Sequence, residues 1–196
     1  MGRFLFGVVI GILLAPLVVL AWFRYGHPPV AVTDSPLPAE KMITSVPLEA
    51  RIAREAPQKA AVEADEDSFA AGARLYRDDC AQCHGFHNKP AAFAAHMFPG
   101  APQLWQKHGD SGAIGVSDDP PGETYWKISN GIRLTGMPAY KDLLSETEMW
   151  QIAVLLANAD KPLPPGALEI VRGGGQPAAG AEIQSTPVAP APAKKH

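Results

Sequence analysis

Cys80-Ala81-Gln82-Cys83-His84 is the stretch whose reading decides how this chain folds. Two thiols three positions apart, with an imidazole directly after the second, have the spacing through which c-type haem is attached. The thiols add to the two vinyl groups of the macrocycle, and the adjoining histidine reaches the iron from one face. A redox dithiol of thioredoxin type would belong to an alternating strand–helix pattern, which this sequence does not show. A zinc site would need a second ligand pair of similar spacing, yet Cys80 and Cys83 are the only cysteines in 196 residues.

Upstream of the motif, Phe69, Gly72, Ala73, Tyr76 and Cys80 fall on one face of a helix that runs into the first thiol. Asp65, Glu66 and Asp67 put negative charge at its start, where the helix dipole favours it. Gly72 costs about 1 kcal/mol in a helix interior relative to alanine, so a close helix crossing is expected there. Downstream, residues 85–121 are rich in Gly and Pro and read as loops, with a short helix over about Ala91 to Met97. Glu123 to Gly131 reads as two helical turns that follow Pro-Pro-Gly and close on Asn-Gly. Ser145 and Glu148 form a capping box, and Met149, Trp150, Ile152, Ala153, Val154, Leu156 and Ala157 supply a wide apolar face up to about Asn158. Loops wrapped on a flat cofactor would supply the core that about 100 residues otherwise struggle to build.

Outside this domain, placed at residues 65–161, the composition changes. Phe4 to Phe23 is apolar and uncharged, and twenty helical residues span about 30 Å, the hydrocarbon thickness of a bilayer. Residues 1–25 therefore read as a signal-anchor with Trp22 and Tyr25 at its interfacial end. The alternative is a cleaved signal peptide, with Arg3 as its n-region and Val19-Leu20-Ala21 as the cleavage site; the run is longer than the usual apolar region. Residues 26–64 read as a Pro-containing tether holding one short helix, Leu48 to Glu55, either solvated or packed on the domain or a partner. Residues 162–196, rich in Pro, Ala and Gly, read as a disordered tail.

A helix before Cys80, a loop-rich middle and a capped terminal helix resemble a class I c-type cytochrome, here membrane-anchored and monohaem. Gly72 with Leu75-Tyr76, Pro102-Gln103-Leu104, Gly136-Met137-Pro138-Ala139-Tyr140 and Glu148-Met149-Trp150 carry the resemblance along with the haem motif. It implies an all-α fold in which the first and last helices cross and loops enclose one covalent haem c. It implies His84 and Met137 as the iron ligands, and the Pro102 carbonyl as the group that holds the far nitrogen of His84. The chain departs from the family over residues 86–100, where Phe86-His87-Asn88-Lys89-Pro90 and an Ala-rich segment replace a glycine-rich turn.

Taken by themselves, the residues make a thioether a sensible second ligand, since soft sulfur favours ferrous iron and raises the potential relative to two imidazoles. Met97, Met149 and Met42 are alternative thioethers, and His87, His96 and His108 alternative imidazoles. Trp105, Tyr125, Trp126 and Tyr140 are candidates for pocket walls or propionate donors.

The formal net charge is −3, with no basic run beyond Lys194-Lys195, which argues against nucleic-acid binding. Between Asp65 and Asp160, carboxylates outnumber Lys and Arg thirteen to seven. Redox protein partners at the membrane, with a neutral or basic docking surface, are the expectation, along with a lipid bilayer around residues 4–23. The resemblance implies electron transfer rather than an enzyme, with the haem domain on the periplasmic side of a bacterial cytoplasmic membrane. The alternatives are a fixed subunit of a larger membrane oxidoreductase, and a haem enzyme or gas sensor with an open sixth site.

Overall fold

The computed structural model describes residues 1–109 and 112–174 and divides the chain into two units, residues 1–51 and the chain from Ile52 onward. The first unit holds α1 (Gly2–Tyr25), 24 residues in which an 18-residue window reaches a mean hydropathy of 2.9 and which carry Pro16 within the helix. By length and composition it can cross a membrane, since 24 residues at 1.5 Å each give about 36 Å. α2 (Glu40–Glu55) begins in this unit. It starts eight residues before the expected Leu48, because the Glu40 carboxylate accepts the Leu37 N–H at 2.8 Å and the helix runs through Pro47.

The second unit is organised by the helix that ends at the haem motif. In α3 (Glu66–Asp79) the Asp65 carboxylate accepts the Ser68 N–H at 2.8 Å and so caps one of the open donors of the first turn. Its buried face is Ser68, Gly72, Ala73 and Tyr76. That face crosses α6 (Glu146–Leu156), where a Cβ on Gly72 would fall on the Gln151 carbonyl. The expected close crossing is therefore present, and glycine is what permits it. The capping box of α6 is complete: Ser145 Oγ accepts from the Glu148 N–H, and the Glu148 carboxylate accepts from the Ser145 N–H at 2.7 Å.

α5 (Pro121–Asn130) packs on α6 with Tyr125 stacked on Trp150, ring centroids 4.2 Å apart. Between α3 and α5 lie α4 (Ala81–His84), a 3-10 turn over Ala92–His96 and two short antiparallel strands. These are β1 (Lys107–His108) and β2 (Ala113–Ile114), paired Lys107 to Ile114. The core comprises Tyr76, Trp105, Trp150, Ile152, Leu155 and Val171, with Met149 and Ile128 beside them.

Two boundaries differ from the sequence reading. Residues 162–174 are not an unstructured tail, because α7 (Pro165–Val171) packs on α3 and buries Ala167 and Val171. The remaining tail, residues 175–196, lies outside the described residues. At the other end the unit begins at Ile52, not Asp65: Ile52 is buried, and the end of α2 is part of the domain, not a solvated helix in a linker.

Candidate haem site

The cysteine–histidine motif is placed by the end of α3. The Cys80 N–H donates to the Tyr76 carbonyl at 2.9 Å, closing α3. The chain then makes one more turn, α4, in which the Cys83 and His84 N–H groups both donate to the Cys80 carbonyl. Both thiols are unpaired and half-buried. Burial, with Asp79 and Cys83 nearby, pushes the Cys80 thiol up to about 12, so it stays protonated at neutral pH.

His84 is oriented from the far side. Its Nδ1 lies 2.8 Å from the Pro102 carbonyl, and since a carbonyl only accepts, Nδ1 carries the proton and Nε2 is left as the bare nitrogen. Burial holds the imidazole below the ordinary histidine range and so favours the neutral ring that a metal requires, while the Pro102 bond works in the opposite direction. Gly85 then turns the chain with φ of 78°, and a side chain there would meet the Gln103 amide oxygen. The Gly85 carbonyl accepts the buried Tyr76 hydroxyl at 2.7 Å. Burial, with Cys80 nearby, raises that phenol, and the neighbouring Trp105 Nε1 has no acceptor in hydrogen-bond geometry.

Gln103 is a site residue to which the sequence reading gave no role. Its amide nitrogen donates to the Cys83 and Ala101 carbonyls, both at 3.1 Å, and its oxygen accepts the Ala91 N–H at 2.7 Å. One side chain thus joins the motif, the Pro102 segment and the chain before the 3-10 turn. Its place between Pro102 and Leu104 was the available signal.

Met137 is half-buried and packs against the core. Its loop is fixed at both ends. The Met137 N–H donates to Thr135 Oγ1 at 3.1 Å, and the Thr135 hydroxyl donates to the Ile132 carbonyl at 2.7 Å. Gly131 has φ of 64° and lies against the Pro138–Ala139 peptide, where a Cβ would be 2.7 Å from the Pro138 carbonyl carbon. The Tyr140 N–H donates to the Ile128 carbonyl at 3.0 Å, and the Tyr140 hydroxyl to the Asp79 carbonyl at 2.9 Å. That last bond brings the Met137 loop to the residue before Cys80. Burial, with Cys80 and Asp79 adjacent, pushes the Tyr140 phenol up to about 12, so it remains a donor.

The alternative ligands are placed differently. Met149 is in the core, and Met42 is exposed in the other unit. His87 is bound to Asn88 at 2.9 Å with its ring beside Trp105. His96 is exposed at the end of the 3-10 turn, and His108 is exposed on β1, 3.6 Å from the Asp118 carboxylate. Met97 approaches the loop, with its methyl group against Gly136. Of the four candidate aromatics, Tyr125 stacks on Trp150 and Trp126 donates to Glu55, while Tyr140 holds Asp79. Trp105 keeps a buried, unengaged Nε1, a donor that a cofactor carboxylate can take.

The residues present fit a haem c: two free thiols one turn apart, a histidine with Nε2 bare, and a buried indole donor without an acceptor. A family model described as cytochrome C oxidase, cbb3-type, subunit III, matches residues 67–156. No match is found among curated proteins or among solved structures. The match runs from the first turn of α3 to the last residue of α6, enclosing the motif, Pro102 and Met137. Residues 67–156 are therefore a c-type cytochrome domain, all-α and of the class I fold.

Proposed function

We propose that this chain is a membrane-tethered electron carrier holding one haem c covalently through Cys80 and Cys83, with His84 and Met137 as axial ligands. When bound, haem supplies reversible one-electron chemistry at iron. The observation that carries the ligand assignment is the Tyr140–Asp79 hydrogen bond, which ties the Met137 loop to the residue preceding the first thiol. Pro102 holds the His84 tautomer, and Gln103 fixes the backbone around it. Gly131 and Thr135 hold Met137 in a constrained loop, so little reorganisation accompanies a change of charge at the metal. With His84 and Met137 both holding the iron, a bound haem would offer no open position to a substrate, which would favour electron transfer over haem-enzyme or gas-sensor chemistry.

α1 would anchor the carrier, with the haem domain on the extracytoplasmic side of a bacterial cytoplasmic membrane. Its partners would be redox proteins at that membrane, with neutral or basic docking surfaces against the acidic surplus of the domain. The second reading, a fixed subunit of a larger oxidoreductase, is favoured by the matched family, whose description is that of an oxidase subunit.

Loading the protein with haem and replacing Met137 tests the assignment. Met137→Ala should abolish the weak red absorption band of thioether-ligated ferric haem, whereas Met97→Ala should retain it. A wild-type ferric spectrum that is high-spin, or a band lost with Met97 instead, would overturn the assignment.

A further inference from the structure

α5 is held at both ends by chain from elsewhere in the domain. At its start the Pro57 carbonyl lies against Gly122, where no side chain would fit, and just past its midpoint the Trp126 indole N–H donates to the Glu55 carboxylate at 3.0 Å. Ile52, one turn before Glu55, is buried. At its other end, the Ile128 and Ser129 carbonyls accept the Tyr140 and Lys141 N–H groups at 3.0 and 3.3 Å, and Gly131 backs the Pro138–Ala139 peptide. Asn130 Nδ2 bonds the Trp126 carbonyl at 3.0 Å, linking the two sets of contacts within the last turn. The middle of the helix is located by the Tyr125–Trp150 stack.

We infer that the Glu55–Trp126 pair positions Met137: the chain entering the domain clamps α5, and α5 is the surface on which the Met137 loop is registered. This rests on Met137 being the sixth ligand, as proposed above. The stack on Trp150 and the buried Thr124, Trp126 and Ile128 seat α5 on the core. The carboxylate–indole hydrogen bond ties that seat to a separate segment of chain, and a charged acceptor makes it stronger than a neutral pair. Two backbone hydrogen bonds from the loop land on the last turn of that helix, so a shift of α5 is passed directly to residues 137–141. Glu55 and Trp126 act on Met137 through α5 and the loop bonded to it, as positioning residues.

The experiment uses the full chain, haem-loaded in detergent, with imidazole as an exogenous ligand that competes with Met137 for ferric iron. Trp126→Phe keeps the ring and removes the donor, Glu55→Ala removes the acceptor, and Glu55→Gln retains an acceptor oxygen. Imidazole should bind roughly three- to tenfold more tightly to Trp126→Phe and Glu55→Ala, the size expected for loss of one hydrogen bond. Glu55→Gln, with a neutral acceptor, should fall between wild type and Glu55→Ala. Amide exchange at Tyr140 and Lys141 should quicken in the same two variants. Glu55 is exposed, so Glu55→Ala decides the matter if Trp126→Phe does not fold. Unchanged imidazole affinity and unchanged exchange in Glu55→Ala would overturn the inference. If Met137→Ala binds imidazole no more tightly than wild type, the ligand assignment fails instead, and exchange at Tyr140 and Lys141 still tests the clamp.

Discussion

At the level of single residues, Gly72 shows how one missing atom sets a fold. The Gln151 carbonyl occupies the space a Cβ would need, so Gly72→Ala must push α3 and α6 apart. The expected cost is about 1–3 kcal/mol, the range for overpacking, measured as a drop in the midpoint of urea or thermal unfolding of the haem-loaded protein. The need for glycine there was legible in the sequence, as were Cys80, Cys83 and His84, since each belongs to a local pattern of fixed spacing. Pro102 and Met137 came only with the resemblance to a family. Glu55 was not legible at all. It meets Trp126 across 71 positions, and no periodicity or cap ties two residues so far apart in the chain. Gln103 escaped for a related reason: its three bonds go to backbone atoms, which any sequence supplies.

Among the elements, α6 was the best signalled, because a capping box is a purely local device. Ser145→Ala should cost about 1 kcal/mol of unfolding free energy, read from the same denaturation curves. The Glu148 carboxyl is held below its ordinary value of 4.5, chiefly by the Ser145 N–H. A depressed folded-state pKa contributes stability that is present above the unfolded value and lost as pH falls through the folded one. The stability difference between wild type and Glu148→Gln should therefore be full at neutral pH and shrink below about pH 4.5. An equal difference at pH 3 and pH 7 would contradict this. α7 lay behind a signal that the sequence offers twice. The helix expected after Pro120-Pro121-Gly122 starts at Pro121, and Pro164-Pro165-Gly166 opens α7 in the same way. What hid α7 was the composition of the following residues, which outweighed the Leu163, Ala167 and Val171 spacing of four.

For the molecule as a whole, the sequence reading recovered an all-α cytochrome domain and its motif, and misplaced where the domain begins and ends. Composition marks the segments that can fold, but only packing shows which flanking segments complete the core. Ending the chain at Lys161 tests this. Removing α7 uncovers the α3 face that Ala167 and Val171 cover, and a fully buried valine alone accounts for about 1.5–3 kcal/mol. The shortened, haem-loaded protein should unfold at markedly lower urea concentration than the full chain; an unchanged midpoint would return residues 162–174 to the status of a tail.

α7 also bears on the order of assembly. The Val171 carbonyl accepts the N–H of His87, three residues past the haem motif, so the far end of the described chain closes over its centre. About eighty residues separate His84 from α7, which at roughly 5–20 residues per second is several seconds of synthesis. For most of that time α3 has neither α6 nor α7 to cover Gly72, Ala73 and Tyr76. The thiols are made early and enclosed late, which leaves an interval in which both stand open to solvent.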